Sequence, residues 1–411
     1  MWRPVLGGRV ILAATACLLV SIRSGAAGPG DQAIRAVTLE EAVASADRAP
    51  QLTAARAGEQ AAEAGVRVAR ALPDPEVSMT TNSINARESI SLLQPLPWPA
   101  RGPRIEAATA DFRTAGRSRD AARASARQAL RVAWFALAAA EERAQAAADR
   151  ETRARRNADA IAALFAEGRV ARLEVVRADA ETALARSDRT SFDEALRTAG
   201  ITLATLMGLE PAAAVTTGGA HPAPEAEGAF EESVTRAREA SPDVRLQVAV
   251  ADAAASRLRL ARRLRIPSLG LSAGAEFNDP TQEGTNRFVG LSVAIPIAGP
   301  AAAAVAQGER DQQTALVERE RREAALAAES AWGRSRAARL RYEAIDRQVL
   351  PAARQTADLT RLAYQEGKVD VFRLLDAERL LSEAAVDRAD AYEAWGAAHA
   401  DLLRATAQDG P

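Results

Sequence analysis

One segment of this chain is written twice. LAYQEGKVDVFRLLDAERLL (362–381) repeats, in tighter form, ALFAEGRVARLEVVRADAET (163–182). Phe165 aligns with Tyr364, Glu167 with Glu366, Gly168 with Gly367 and Val170 with Val369, all at an offset of 199 residues. Such a duplication commits the chain to one structural unit used two times, and a unit of this kind must bury its apolar faces against its copies.

The duplication extends to LEEAVASADRAPQL (39–52) and FEESVTRAREASPDV (230–244). Both close one short helix and start another at a proline, Pro50 or Pro242. Thr38 with Glu41 predicts a capping box, and Ser241 predicts an N-cap with proline at the first helical position. Each unit then reads in the same order: an Ala-rich helix, a proline-flanked block, a very long helix, a glycine turn and a closing helix. The segment 210–228, rich in Pro, Gly and Ala, reads as a linker. The expected domains are a leader 1–27, a first unit 28–209 with strands about 73–98 and long helices about 104–208, the linker, a second unit 229–407 with strands about 266–297 and long helices about 300–406, and a tail 408–411.

The proline-flanked blocks carry period two. Leu269, Leu271, Ala273, Ala275 and Phe277 alternate with Ser268, Gly270, Ser272, Gly274 and Glu276. Past a turn-rich middle, Val289, Leu291, Val293 and Ile295 alternate with Phe288, Gly290, Ser292 and Ala294. That predicts a strand pair. A weaker version in 72–98 sets Val77, Met79 and Thr81 against Ser78, Thr80 and Asn82. One apolar face and one small or polar face is the alternation of a lipid-facing, water-lined barrel; a half-buried sheet of a soluble protein is the alternative.

The helices that follow are long. From Pro300 to Tyr364 only Pro351 interrupts the helical pattern, and roughly 60 residues at 1.5 Å each make a rod of about 90 Å. Hydrophobic residues are 48% of the chain but aromatics only 4%. Alanine buries little area, so this composition suits long coiled helices better than a thick globular core. Steps of three and four give a seam Leu374, Ala377, Leu381, Ala384, Arg388, Ala391, Trp395, Ala398 and Leu402. In the first unit it matches Val175, Ala178, Thr182, Ala185, Arg189, Phe192, Leu196, Ala199 and Leu203. These are two heptad seams in register, each with an arginine at the same point.

Arg3 and Arg9, the apolar run 10–22 and the small residues 24–27 predict an export signal cleaved near Ala27. Cys17 lies inside the apolar run rather than at its end, so ordinary cleavage is expected over lipid attachment. Loss of Arg3, Arg9 and Arg23 takes the formal charge from −1 to −4, which gives no reason to expect nucleic acid as a partner. An exported chain without a later apolar helix is soluble or crosses a membrane as strands. Two strand pairs supply four strands, too few to close a barrel; two, three or four chains would give 8, 12 or 16.

The doubled unit, the string Tyr364, Glu366, Gly367, Leu374, Leu375, Asp376, Ala377 and the proline-rich strand exit QPLPWPARGPR (94–104) together resemble the TolC-like outer membrane efflux proteins, the last segment in particular their heavy-metal branch. The likeness covers nearly all of the chain after the leader. It implies a mainly α fold with transmembrane β: a homotrimer whose strands form one 12-stranded barrel, continued into the periplasm by a helical barrel. Such a duct does no chemistry and needs no cofactor. Its implied partners are outer membrane lipid, a periplasmic adaptor and an inner membrane pump, proton-driven. The resemblance also puts Gly168 and Gly367 at the periplasmic tips of two hairpins, and Glu174, Arg177, Tyr364, Arg373 and Asp376 at the gate. At the 199 offset Glu174 matches Arg373 and Arg177 matches Asp376, so the two hairpins carry swapped charges at equal heights. Salt bridges of these pairs between neighbouring hairpins are expected to favour a closed tip. Arg373 departs from family members that carry a second acid there.

A periplasmic coiled-coil adaptor is the runner-up reading, although adaptors carry one hairpin in a β-rich body rather than two equal units. A soluble coiled-coil scaffold is a third, which leaves the alternating strands unexplained. GLSAG (270–274) fits a nucleophile pattern, but that motif needs a strand-to-helix turn and Ser272 sits in mid-strand. His221 and His399 stand alone, without the spacing a zinc site requires, and surface positions are expected for both.

Overall fold

The computed structural model of the chain describes residues 35–82, 87–210, 215–277 and 284–408. The expected leader with Cys17 and the last three residues of the tail lie outside them. After a short strand β1 (Arg35–Val37), helix α1 (Leu39–Ala44) starts at the capping box foreseen from the sequence. The Thr38 hydroxyl accepts from the Glu41 amide at 3.2 Å, and the Glu41 carboxylate accepts from the Thr38 amide at 3.1 Å. A 3₁₀ turn leads to α2 (Pro50–Arg70), with proline in its first turn where no amide is needed. Strands β2 (Glu76–Asn82) and β3 (Arg87–Leu96) follow, then α3 (Arg101–Ala166) and α4 (Arg172–Leu206).

The second half repeats the order. Strand β4 (Val215–Thr217) precedes α5 (Phe230–Ala240) and α6 (Pro242–Arg263), the latter capped by Ser241. Next come β5 (Ser268–Phe277), β6 (Asn286–Ala294), α7 (Gly299–Ala344), α8 (Leu350–Gln365) and α9 (Val371–Thr406). Pro351 does not stop the rod. It lies in the first turn of α8, directly after a π-helical segment, Ile345–Val349. A wider π turn accommodates the hydrogen bond that proline cannot donate and the ring it would press on the preceding turn.

β2, β3, β5 and β6 form one antiparallel sheet in that order. The register sets Val77 opposite Leu92, Met79 opposite Ile90, Leu92 opposite Ala273 and Leu271 opposite Leu291. Val77, Met79, Ile90, Leu92, Leu271, Val289, Leu291 and Val293 therefore share one face, while Leu93 and Phe288 fall on the other. The first face is bare: Met79 is 76% and Val289 78% exposed. The other face carries Ser78, Ser91, Gly270, Ser272 and Ser292, with the Ser78 and Ser91 hydroxyls 2.7 Å apart. Ser272 is a mid-strand residue paired with Leu93 and Gly290.

The helices stand in four columns below the four strands. α3 packs on α2 and α4 along one side and on α6 and α9 along the other; α7 packs on α6 and α9, and α8 on α9. The order α2 with α4, α3, α6 with α9, α7 with α8 thus follows the strand order. Arg404 of α9 pairs with Asp243 of α6 at 2.7 Å, where one inner column changes helix. α9, packed on both sides, buries much of its surface, whereas α4 buries only a narrow stripe including Ala178, Ala185 and Leu203.

Midway along the columns sits the largest core, built on Leu130, Trp134, Phe135, Leu137, Leu203, Tyr392 and Trp395. Gly396 lets α9 approach α3 here; a Cβ at that position would lie 2.1 Å from the Phe135 ring. The expected linker is more than a connection. Its β4 pairs in parallel with β1, and Trp134 donates to the Val37 carbonyl at 2.9 Å beneath that pair. Its far end is pinned by Glu227, whose buried carboxylate meets Arg339 at 3.2 Å and Ser335 at 2.9 Å on α7. His221 packs against the same core, its ring 5.5 Å from Trp134, 6.0 Å from Tyr392 and its Nε2 3.0 Å from the Thr217 hydroxyl.

α4 and α9 end in the same way, by bonds that return from beyond the helix to its last turn. Leu209 N–H donates to Ala204 and Gln408 N–H to Leu403, and the residue in the left-handed region is Gly208 (φ 72°) in one unit but Ala407 (φ 51°) in the other. An L-residue with a Cβ is disfavoured there by about 1 kcal/mol. Ala407→Gly should therefore stabilise the protein by up to about 1 kcal/mol, and Gly208→Ala should destabilise it by a similar amount. Thermal unfolding in detergent checks the opposite signs.

Candidate functional site

The hairpin ends farthest from the sheet are built by two equal turns. Gly168 donates to the Phe165 carbonyl at 2.9 Å and Arg169 to that of Leu164 at 3.0 Å; Gly367 donates to Tyr364 at 3.0 Å and Lys368 to Ala363 at 2.8 Å. Both glycines hold left-handed backbone, φ 71° and 72°. This is the bonding of a Schellman cap, which needs a residue without a Cβ penalty at that position. The repeated Glu-Gly of the sequence encodes it. After the turn, α9 gains a cap that α4 lacks: the Asp370 carboxylate accepts from the Arg373 amide at 3.0 Å, where the first unit has Ala171.

Below the turns the two hairpins meet in a small apolar cluster. Ile161 of α3, Ala178 of α4 and Val371 of α9 are buried in it, with Val170, Val175, Tyr364 and Leu375 around them. Tyr364 is thus a packing residue. Burial raises its hydroxyl pKa, and the Glu174 carboxylate raises it further. Its Oη is shielded without a hydrogen-bond partner in the chain, as is Asn157 Nδ2. Both line a cleft of about 1030 Å³ between the hairpins that also takes in Glu174, Arg169, Gly367 and Asp370.

The swapped charges find other partners within one chain. The Arg177 guanidinium lies 3.8 Å from the centre of the Phe372 ring on the other hairpin, and Asp376 pairs with Arg379 at 2.7 Å on its own helix. Glu174 is not brought to Arg373, nor Arg177 to Asp376; among the described residues, Glu174 and Arg373 have no ion pair within the chain. The aromatic ring offers Arg177 a cation–π contact across the hairpins. Asp376 remains largely exposed.

The charges that do join the hairpins escaped the sequence reading. Glu378, only 9% exposed, receives Arg361 at 2.5 Å from its own hairpin and stands 2.7 Å from Arg153 Nε of the other. Hydrogen bonding to Glu378 raises the pKa of Arg361 against the opposing effect of burial. Farther from the tip, Arg388 binds Asp346 at 2.6 Å, Glu142 at 2.7 Å and the Tyr342 hydroxyl at 2.8 Å, while Arg143 binds Asp390 and Glu393. Burial works against the Arg388 charge, but the bond to Asp346 and the field of Glu142 outweigh it and raise its pKa. The matching seam arginine, Arg189, reaches Glu151 at 3.0 Å and, with Arg155, holds that buried carboxyl below its ordinary range. Of this network only the two seam arginines were visible beforehand.

A profile of the outer membrane efflux protein family matches residues 43–209. The cobalt-zinc-cadmium resistance protein CzcC of Cupriavidus metallidurans is 26% identical over 377 residues, which cover 88% of this chain and 86% of that protein. Among solved structures, the CmeC outer membrane channel of Campylobacter jejuni superposes with a TM-score of 0.76 at 15% identity, over 90% of this chain and 85% of that one. The open MtrE outer membrane channel of Neisseria gonorrhoeae gives a TM-score of 0.73 at 20% identity, over 90% and 88%.

Removing one partner of a buried ion pair strands the others, whereas an exposed pair contributes little. Glu378→Ala should destabilise the protein by about 2 kcal/mol and speed trypsin cleavage near the tip, while Asp376→Ala should change stability by less than about 0.5 kcal/mol. Thermal melting with timed proteolysis separates the two.

Proposed function

We propose that the chain is a member of the outer membrane efflux protein family, whose profile matches residues 43–209, and that it works as the outer membrane duct of a tripartite efflux system, a passive exit for cargo handed on by an inner membrane pump. The observation that carries this reading is the sheet. Four strands expose one predominantly apolar face, keep mainly small and polar residues on the other, and end in helices too long for any globular core. A face of that kind suits lipid, and strands can cross lipid only in a closed barrel. Among the described residues no helix is long and apolar enough to cross a membrane.

Closure comes from three copies of the chain, each giving four strands and four helical columns. The edges left to neighbours support this. β2 and β6 each pair on one side only, and the outer columns leave Leu173, Val176 and Leu184 on one flank and Leu326, Leu359 and Leu362 on the other exposed. Such apolar flanks are what copies of one chain cover in each other.

The hairpin tips are the gate and the adaptor seat. In the trimer the half-buried Glu174 and the exposed Arg373 and Asp376 of three protomers converge where the shared duct narrows, and contacts between neighbouring hairpins bias the closed state. The cleft between hairpins, with the shielded polar atoms of Tyr364 and Asn157 along it, offers a helical hairpin of a periplasmic adaptor both packing and hydrogen bonds. The likeness to CzcC makes cobalt, zinc and cadmium ions the first cargo to assay. The energy comes from the inner membrane pump, which we take to be proton-driven. An adaptor role fits less well, because the four-stranded sheet would have nothing to cover it.

In planar bilayers the mature protein should form channels, and reversing charge at Arg373 and Asp376 together should raise single-channel conductance; identical conductance would exclude these residues from the gate. Lys368 is the chain's one lysine, exposed at the second tip turn. An amine-specific cross-linker should therefore join the duct to its adaptor through that residue, and Lys368→Arg should abolish the product. Recovery of the unaltered protein in a soluble periplasmic fraction would refute the duct.

A further inference from the structure

The strands give way to helices through a proline-rich belt, and this belt has a chemistry of its own. A groove of about 410 Å³ opens there, lined by Leu96, Trp98, Leu260, Leu264, Ile266 and Ile295 among several prolines. Trp98 is 73% exposed although it follows β3, an inner strand whose two neighbours, β2 and β5, lie in the same chain. A second copy joining at β2 or β6 does not lie along that strand. The groove is continuous with the apolar sheet face through Leu96, which pairs with Leu269, and through Ile295, which follows Val293.

Arginines crowd the same level. Arg101 and Arg104 donate to the last carbonyls of α2, Arg70 O at 3.2 Å and Ala71 O at 3.0 Å. Arg104 lines the groove, and its Nε is shielded and unbonded. Arg70, Arg101, Arg104, Arg263 and Arg265 form no ion pair among the described residues, and the two carboxylates of the belt, Asp74 and Glu76, pair with none of them. A set of guanidinium groups at one height, none of them paired with a described acid of the chain, offers an external anion several charge-assisted donors. Apolar groove, interfacial tryptophan and unpaired guanidinium groups are the features that receive an acyl chain and a phosphate together.

We propose that this belt holds a glycerophospholipid of the periplasmic leaflet, its first acyl carbons in the groove against Trp98 and its anionic headgroup among Arg104, Arg263 and Arg265. The proposal rests on the outer membrane reading above and goes beyond it in naming a lipid site. It would fix the depth of the barrel in the membrane at the point where strand becomes helix.

Mature protein in vesicles with phospholipid brominated near the top of the acyl chain tests it, since bromine quenches only a tryptophan in contact. Trp134 and Trp395 are buried in the helical core, so the expected result is a quenched component that Trp98→Phe removes. Brominated phosphatidylglycerol should quench at lower mole fraction than brominated phosphatidylcholine. Arg263→Gln with Arg265→Gln should erase that preference, by about fivefold per arginine, while leaving the circular dichroism unchanged. Flotation of the wild-type protein with vesicles is the control. Flotation without quenching, or equal quenching by the two lipids in wild type and variant, overturns the lipid site alone; failure to float overturns the membrane reading and the site with it.

Discussion

The free edges of β2 and β6 carry backbone N–H and C=O groups that one chain cannot satisfy, and a hydrocarbon environment offers them nothing. Everything else in the molecule is arranged around this deficit. The apolar sheet face forbids leaving the strands in water, and the open edges forbid leaving them alone in lipid. Only a closed cylinder meets both conditions, and the exposed leucines on the two outer helical columns mark where its seams run.

The helical part obeys a gentler version of the same rule. Inner and outer columns differ in what they hide: α9 is enclosed on two sides, α4 on one. The inter-hairpin contacts follow suit. Glu378 with Arg153 and Arg361, and Arg388 with Glu142 and Asp346, tie one hairpin to the next inside the protomer, where burial makes each charge depend on its partner. Near the turns the connection weakens to an apolar cluster and the Arg177–Phe372 stack. A tip with packing but few buried charges is the part of such a rod that changes shape at least cost.

Much of this was legible in the sequence, and the reason is periodicity. Strand alternation survives because each residue faces either lipid or polar space, so Leu271 and Leu291 could be placed on one face before their pairing was seen. The tip turns were legible because glycine takes φ near 70° without the penalty a Cβ brings, and the repeat wrote it twice. Charges were not legible in the same way. Glu378 and Asp376, two residues apart, look alike on paper, yet one is buried between arginines and the other is exposed, since a heptad flank turns from seam to solvent within that distance. The linker misled for a related reason: β4 owes its three residues of strand to a partner, β1, that lies 180 residues earlier, and no local pattern announces such a pairing.

The central claim is that one chain is a fraction of a cylinder. Light scattering on the mature protein eluting from a sizing column in detergent measures it directly. The account predicts a protein mass of three chains, with aggregation once detergent is withdrawn. A monodisperse single chain, folded and soluble in plain buffer, would contradict it.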